Sequence, residues 1–328
     1  MAGIAAWKQE LFQVTPERFE ELALQVFRLQ YGENPVYRAF VDALRVEPGS
    51  VNQVLQIPFL PVRFFRTHRV QTAVSEARLV FESSGTTAAD PSRHYVYDPG
   101  LYEESFTRGF EAAVGRLEDF CIVGLVPSPR ERPQSSLGFM VNGLIRRSQH
   151  PQGGFYLDRK RQLLSLLPAL QENAQQILLI GLSHALMDFA EFAPLPLRNT
   201  LVIETGGMKG RRRELTREEL HGKLCAAFNL EAVGSEYGMT ELLSQAWALS
   251  SGLFIGPPWM RVLVREENDP RAVSVQGTGA INIIDLANIY SCSFLATDDL
   301  GRVRGDGKFE VLGRIDNTDL RGCSLLVA

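Results

Sequence analysis

The sequence predicts an α/β fold with a β-rich end, and three observations carry that expectation. Between about residues 78 and 250, short apolar runs alternate with longer amphipathic segments, the rhythm of βα units. Beyond residue 250 the helical periodicity vanishes, and short apolar runs are separated by Gly, Asp and Asn turns. Before residue 76 the apolar spacing is helical. The expected organisation is a single domain over 1–328, with a leading helical segment (1–75), an α/β core (76–250) and a β-rich subdomain (251–328).

Thr15 and Pro16 start the first helix, because a hydroxyl can cap orphan amides while proline at the first helical position forfeits no hydrogen bond. Phe19, Leu22, Val26 and Phe27 then recur at helical spacing, and Asn34 with Pro35 marks the stop. A second short helix is expected over 36–44, and Pro48, Gly49, Pro58 and Pro61 break the connector beyond it. In the core, 121–126, 177–181, 201–204 and 232–234 read as buried strands. Helices are expected over 102–119, 158–170 and 183–192; the first would place Phe106, Phe110, Val114 and Leu117 on one face. Thr216 and Glu219 form a capping box, with Leu215 and Leu220 where a hydrophobic staple would sit, so another helix begins at Arg217. The last part offers strands over 261–265, 279–285, 289–296 and 308–312.

Composition excludes whole classes of function. The chain has 328 residues, 45% hydrophobic and 22% charged, which suits a globular core and excludes disordered, collagen-like and coiled-coil proteins. A net charge of -4 gives no electrostatic footprint for nucleic acid or an anionic membrane. The four cysteines are far apart and form no CxxC, so no zinc ribbon or dense disulfide frame is expected, and a reducing cytoplasm fits. Lys8 and Glu10 interrupt what would be the core of a signal peptide, and no run reaches bilayer-spanning length. A soluble, cytoplasmic, unprocessed protein is the expectation. The five histidines include no HExxH pair, which argues against a zinc site.

Five short segments could carry chemistry. Strand-like Leu79, Val80 and Phe81 run into Ser83, Ser84, Gly85, Thr86 and Thr87, a string that can wrap an anion with hydroxyls and amides. Taken alone it reads more readily as a solvated hydroxyl-rich turn; the GxxxxGK[ST] spacing of a Walker loop is absent. Arg93 and His94 follow as further donors, His94 either to phosphate or to the loop itself. Glu204, Thr205, Gly206 and Gly207 follow a strand, where an open α/β sheet brings backbone near a ligand, or where a routine βα turn needs glycine. Arg211, Arg212 and Arg213 read as a solvated surface run. Tyr237, Gly238, Thr240 and Glu241 offer a ring, a hydroxyl and a carboxylate, the groups that suit a nucleobase, a phosphate and magnesium. Finally, Asp298 and Asp299 precede Leu300, Gly301 and Arg302, and Gly313, Arg314, Ile315 and Asp316 follow. A carboxylate on a tight turn suits a ribose diol, and an arginine suits phosphate.

In that order, the segments resemble the successive core motifs of the adenylate-forming (acyl-CoA synthetase-like) superfamily, across most of the chain except its leading helices. Within it, the sequence most resembles the acyl-protein synthetase (long-chain-fatty-acid–luciferin-component ligase) of bacterial fatty-acid reductase complexes. The stretch from Phe81 to Thr87, residues 135–140, the Glu204 to Gly210 segment, and the ending Leu320, Arg321, Gly322 and Cys323 carry that resemblance. It implies the large N-terminal domain of the adenylate-forming fold, with mixed sheets flanked by helices plus a β-rich C-terminal subdomain. It also implies a reaction of ATP, Mg2+ and a fatty or other carboxylic acid to an acyl-adenylate. The acyl group would then move to a cysteine, here Cys323, and on to a partner reductase or acyltransferase.

Carried over by position, Ser83, Ser84, Gly85, Thr86 and Thr87 would hold the ATP phosphates. Thr205, Gly206 and Gly207 would line the adenine site, with Tyr237 and Gly238 beside the base. Thr240 would contact the α-phosphate, Glu241 the magnesium, Asp299 the ribose hydroxyls, and Arg314 ribose or phosphate. Arg321 would favour a Cys323 thiolate; a terminal cysteine that merely packs is the other reading. Cys121 and Cys225 read as packing, Cys292 is undecided, and His184 is either beside the acyl pocket or structural. Two features depart from the family. Ala88 stands where many members have glycine, with no lysine nearby, and the chain stops twelve residues after Asp316. The usual lid domain of roughly a hundred residues, with its adenylation lysine, is therefore expected to be missing. Two alternatives stay open: CoA or a carrier-protein thiol as acceptor, and a non-catalytic nucleotide- or acyl-binding module.

Overall fold

The structure, a computed structural model, describes residues 7–8, 10–72, 76–84, 90–206, 215–267 and 269–315. Helices α1 (Pro16–Glu33) and α2 (Pro35–Ala43) each begin with proline, which fits the first helical turn where no amide partner exists. The Thr15 hydroxyl makes no capping bond to α1, contrary to expectation; Asn34 does cap α2, its side chain accepting from the Tyr37 amide at 3.0 Å. Both helices pack on the C-terminal part of the chain. Gln30 Nε2 donates to the Asn288 and Ile289 carbonyls, Asn34 Nδ2 donates to that of Ser291, and Phe27 meets Phe294 edge-on. Strand β1 (Leu60–Pro61) then runs parallel to a C-terminal strand, Leu60 opposite Leu295. The leading segment is thus not helical throughout, because tertiary pairing recruits its proline-rich end as an edge strand, where a missing amide costs nothing.

A short helix α3 (Phe64–Thr67) leads to an antiparallel hairpin of β2 (Leu79–Glu82) and β3 (Arg93–Val96). Helix α4 (Pro99–Ala113) follows, N-capped by Asp98, whose carboxylate accepts from the Gly100 and Leu101 amides. It ends well before residue 119, because Gly115 adopts φ +137 and the chain turns through Leu117–Asp119 into β4 (Phe120–Leu125). Helix α5 (Ser136–Ser148) was not anticipated, although Ser135 caps it and Met140, Val141 and Leu144 mark its buried side. The remaining units alternate: β5 (Gly154–Phe155), α6 (Lys160–Glu172), β6 (Gln176–Leu182), α7 (Ser183–Phe192), β7 (Thr200–Thr205), α8 (Arg217–Phe228) and β8 (Gly234–Tyr237).

These strands form a parallel sheet in the order β5-β4-β6-β7-β8, closed by antiparallel β9 (Ala246–Ala248). Both faces are covered. Cys121, Val123, Leu125, Ile177 and Leu179 pack with α6, α7 and α8, while Ile122, Leu178 and Ile180 join the core on the other side. The second sheet contains β10 (Met260–Arg265), β11 (Val273–Ser274), β12 (Gly277–Asp285), β13 (Phe294–Val303) and β14 (Phe309–Arg314). Its order is β1-β13-β12-β10-β11, with β14 on β13. Two expected strands are displaced. The one placed at 232–234 starts at Gly234 and runs through Tyr237, and the one placed at 289–296 starts at Phe294 after a tight turn at Leu286–Asn288. Pairing of β8 with β7 and β9, and of β13 with β12, sets these boundaries, and a single-segment reading does not see partners.

Candidate functional site

The carboxyl ends of β7 and β8 lie side by side, with Glu204 opposite Ser235 and Thr205 opposite Glu236. In an open α/β sheet this is where ligands bind. Alternation along the strand sends Glu204 and Thr205 to opposite faces. Glu204 is buried, which pushes its carboxyl up. The neighbouring His221, Ser183, Ser235 and Arg217 side chains outweigh this and hold it below the ordinary carboxylate value. The Ser183 hydroxyl donates to it at 2.7 Å. On the other face the Thr205 hydroxyl donates to Glu236. Gly206 then takes φ +77, a left-handed conformation that glycine adopts freely.

At the end of β8 the Tyr237 ring is enclosed by Phe254 and Phe309, with centroids 5.9 and 5.6 Å away. Its hydroxyl donates to Asp299 Oδ2 at 2.8 Å, and Arg314 Nε stands 3.5 Å from Asp299 Oδ1. Asp299 lies within β13, directly opposite Arg314 on β14, rather than on the tight turn expected from the sequence. Burial pushes the Asp299 carboxyl up, and Tyr237 and Arg314 draw it partly back. The Arg314 side chain is 77% exposed, so most of its guanidinium remains available to an anion. Gly238 sits close against Glu236: a Cβ there would lie 2.4 Å from Glu236 Oε1, so that carboxylate would have to shift.

The turn after β8 carries Thr240 and Glu241. Glu241 is buried, and burial pushes its carboxyl up; the Ser92 hydroxyl, its own amide, Arg66 and Arg314 only partly offset this. A desolvated carboxylate short of compensating charge suits a cation. Among the described residues no three acidic, histidine or cysteine side chains gather as a metal site. A single carboxylate still fits Mg2+, which keeps waters and takes other ligands from substrate phosphates. Three residues that the sequence did not flag support this turn. Asp285 accepts from the Leu243 and Ser244 amides at 2.9 and 3.0 Å, Asn288 Nδ2 donates to the Glu241 carbonyl at 2.7 Å, and the Ser92 side chain lies beside the Glu241 carboxylate, which it helps to draw down. No local signal marks them, because each acts across a long sequence separation.

The hydroxyl-rich loop leaves β2 with Ser83 paired to Ser92, amide to carbonyl at 3.0 Å, and the Ser83 hydroxyl accepts from the Ser92 amide at 2.9 Å. Ser84 is described; Gly85, Thr86, Thr87, Gly207, Arg321 and Cys323 lie outside the described residues. Arg93 is engaged by Glu82 at 3.0 Å. His94 is not a phosphate ligand: it is 1% exposed, and its Nδ1–H donates to the Thr240 carbonyl at 2.8 Å. Cys121 and Cys292 are buried and their thiols pushed up to about 11 and about 12 by desolvation, so Cys292 joins the packing residues. His184 is buried on α7, and among the described residues no helix is long and apolar enough to cross a membrane.

Burial holds His94 down at about 4, against an ordinary value of 6.5. The unfolded chain therefore binds its proton first, and this residue removes stability as pH falls from about 6.5 to about 4, by roughly 3 kcal/mol over the window. Glu241, Asp285 and Asp299, all raised, act with the opposite sign. Urea denaturation at several pH values, comparing the native chain with His94→Asn, isolates the histidine: the native chain should lose more stability on acidification.

No protein-family model matches the sequence, and no curated protein matches it. Solved structures do. A 2-hydroxyisobutyryl-CoA ligase in complex with 2-HIB-AMP and CoA, in its thioesterification state, aligns over 92% of this chain and 68% of its own with a TM-score of 0.68 at 16% identity. An open conformation of that ligase aligns over 92% of this chain and 78% of its own, with a TM-score of 0.66 at 14% identity. ATP-bound MatB from Rhodopseudomonas palustris aligns over 74% of this chain and 49% of its own, with a TM-score of 0.54 at 16% identity. The chain thus spans about half the length of the MatB structures it matches. At such identities the likeness establishes the fold: this is the adenylate-forming fold of acyl-CoA ligase-like enzymes.

Proposed function

We propose that this protein is an ATP-dependent ligase that activates a fatty or related carboxylic acid as an acyl-adenylate and transfers the acyl group to the Cys323 thiol. Delivery would follow to a partner acyl reductase or acyltransferase. The observation that carries the reading is the gathering of Thr205, Tyr237, Glu241, Asp299 and Arg314 at the carboxyl ends of β7 and β8. The fold is shared with ligases solved with ATP and with an acyl-adenylate.

In the first step a carboxylate oxygen attacks the α-phosphorus and the bond to the β-phosphate oxygen breaks, pyrophosphate leaving with the electron pair. Two anions must meet, so the protein has to supply positive charge and oriented dipoles. Mg2+ held by Glu241 would neutralise phosphate charge, and Arg314 adds a guanidinium. Ser83, Ser84, Gly85, Thr86 and Thr87 grip the phosphates, and Thr240 contacts the α-phosphate. Thr205, Gly206, Gly207 and Gly238 line the adenine site. Tyr237 borders that site and fixes Asp299, whose remaining lone pairs accept from ribose hydroxyls. In the second step the Cys323 thiolate, its proton lost to solvent, attacks the acyl carbonyl, and AMP leaves as the carbonyl-to-phosphate oxygen bond breaks.

The test is incubation with ATP, Mg2+ and labelled fatty acid, then denaturing electrophoresis and hydroxylamine. Hydroxylamine-labile label on the native chain and none on Cys323→Ser is the expected result; label retained by the serine variant would overturn the acceptor assignment. A second reading, with CoA as acceptor, is favoured by the CoA bound to the 2-hydroxyisobutyryl-CoA ligase. It predicts acyl-CoA formation that Cys323→Ser leaves intact. Absence of pyrophosphate exchange with any acid would favour a binding module instead.

A further inference from the structure

The base of the hydroxyl-rich loop and the Thr240–Glu241 turn are far apart in sequence, and among the described residues no strand pairing joins them. They are nevertheless joined by two buried side chains at the base of the hairpin. Ser92, 4% exposed, donates its amide to the Ser83 hydroxyl, and its side chain lies beside Glu241, whose carboxyl it helps to draw down. Two residues along, on β3, His94 donates Nδ1–H to the Thr240 carbonyl, and Phe65 meets its ring edge-on at 5.7 Å. Neither side chain is exposed enough to take a substrate directly. His94 spends its donor on the turn, and Ser92 ties the two ends of the hairpin together beside it.

We propose that Ser92 and His94 are positioning residues that latch the phosphate-gripping hairpin to the turn carrying the magnesium carboxylate, so that the two move as one body. The inference rests on the proposed adenylation reading for its purpose, but the latch itself is a property of the chain alone. In-line displacement at phosphorus needs the phosphate grip and the cation in register, and misplacement of about 1 Å can cost on the order of a hundredfold in rate.

The experiment has two arms. Hydrogen exchange on the ligand-free chain compares the native protein with Ser92→Ala, His94→Leu and His94→Asn, the last keeping a donor near the position of Nδ1. The expected result is faster exchange in both 79–96 and 238–245 for Ser92→Ala and His94→Leu, with the rest of the chain unchanged and His94→Asn close to native. Faster exchange confined to the mutated hairpin, or none, overturns the latch. The second arm measures ATP binding with and without Mg2+, and pyrophosphate exchange. Ser92→Ala should lower kcat about tenfold and raise the Mg2+ concentration needed for half-maximal binding, with KM for the acid unchanged. A purely structural role would lower thermal stability and leave the Mg2+ requirement and kcat of the folded fraction alone. If the native chain binds no ATP in either condition, the adenylation reading fails while the exchange arm still decides the latch.

Discussion

Glu241→Gln is expected to lower ATP–pyrophosphate exchange by about a hundredfold or more, the scale for losing one electrostatic contact to a reacting phosphate. Stability should stay level or rise. The prediction follows from the environment of the carboxylate: it is buried, and desolvation makes its charged form unfavourable despite Ser92, Arg66 and Arg314. An amide of the same shape removes that cost and keeps an acceptor oxygen beside Ser92, but it cannot bind a divalent cation with comparable strength. A structural carboxylate would behave differently, losing stability and activity together. Exchange is measured across an Mg2+ titration, with urea unfolding on the same samples. Activity within about threefold of native, a loss too small for a metal ligand, would sink the magnesium role.

What the sequence disclosed about this site was what lies within a few consecutive residues. Tyr237, Gly238, Thr240 and Glu241 form a local string, as do Ser83 and Ser84 after a strand, and both stand at strand ends as their patterns suggested. The alternation of apolar runs likewise located the parallel sheet to within a residue or two at β4, β6 and β7. Hidden were the features that depend on distant partners. His94 gave the same signal as a phosphate ligand, and only the fold shows its donor spent on a carbonyl 146 positions away. Asp299 read as a turn residue because its strand is defined by pairing with β14, which no local window contains. Helix α5 escaped for a related reason: its glycines and Ser135 resemble a loop, whereas Met140, Val141 and Leu144 become a helical face only against the core behind them. The leading helices were legible as helices, yet their attachment to the β-rich sheet through Gln30 and Asn34 could not be read, since polar residues rarely announce a buried contact.

Asp285→Ala should cost about 3 kcal/mol of stability and depress adenylation in the fraction that stays folded, the scale for leaving buried donors without an acceptor. Asp285 is fully buried, and burial pushes its carboxyl up, but it is surrounded by donors. Oδ2 accepts from the Leu243 and Ser244 amides, and Oδ1 from the Ser244 hydroxyl at 2.6 Å and the Ala287 amide at 3.1 Å. Truncation leaves all of these without an acceptor in a place water does not reach. The Ser244 hydroxyl also accepts from Trp259 Nε1 at 3.0 Å, so the same residue joins the turn after Glu241 to the β-rich sheet. Asp285→Asn should rescue poorly: one carboxylate oxygen becomes an NH2 that must face either two amides or an amide and a hydroxyl, donor against donor. That failure separates a hydrogen-bonding role from mere volume, because asparagine nearly matches aspartate in size. Urea midpoints at constant m-value give the stability change. A loss under about 1 kcal/mol, the ordinary surface-to-core average, would mean that the turn is held instead by Asn288 at the Glu241 carbonyl and His94 at the Thr240 carbonyl.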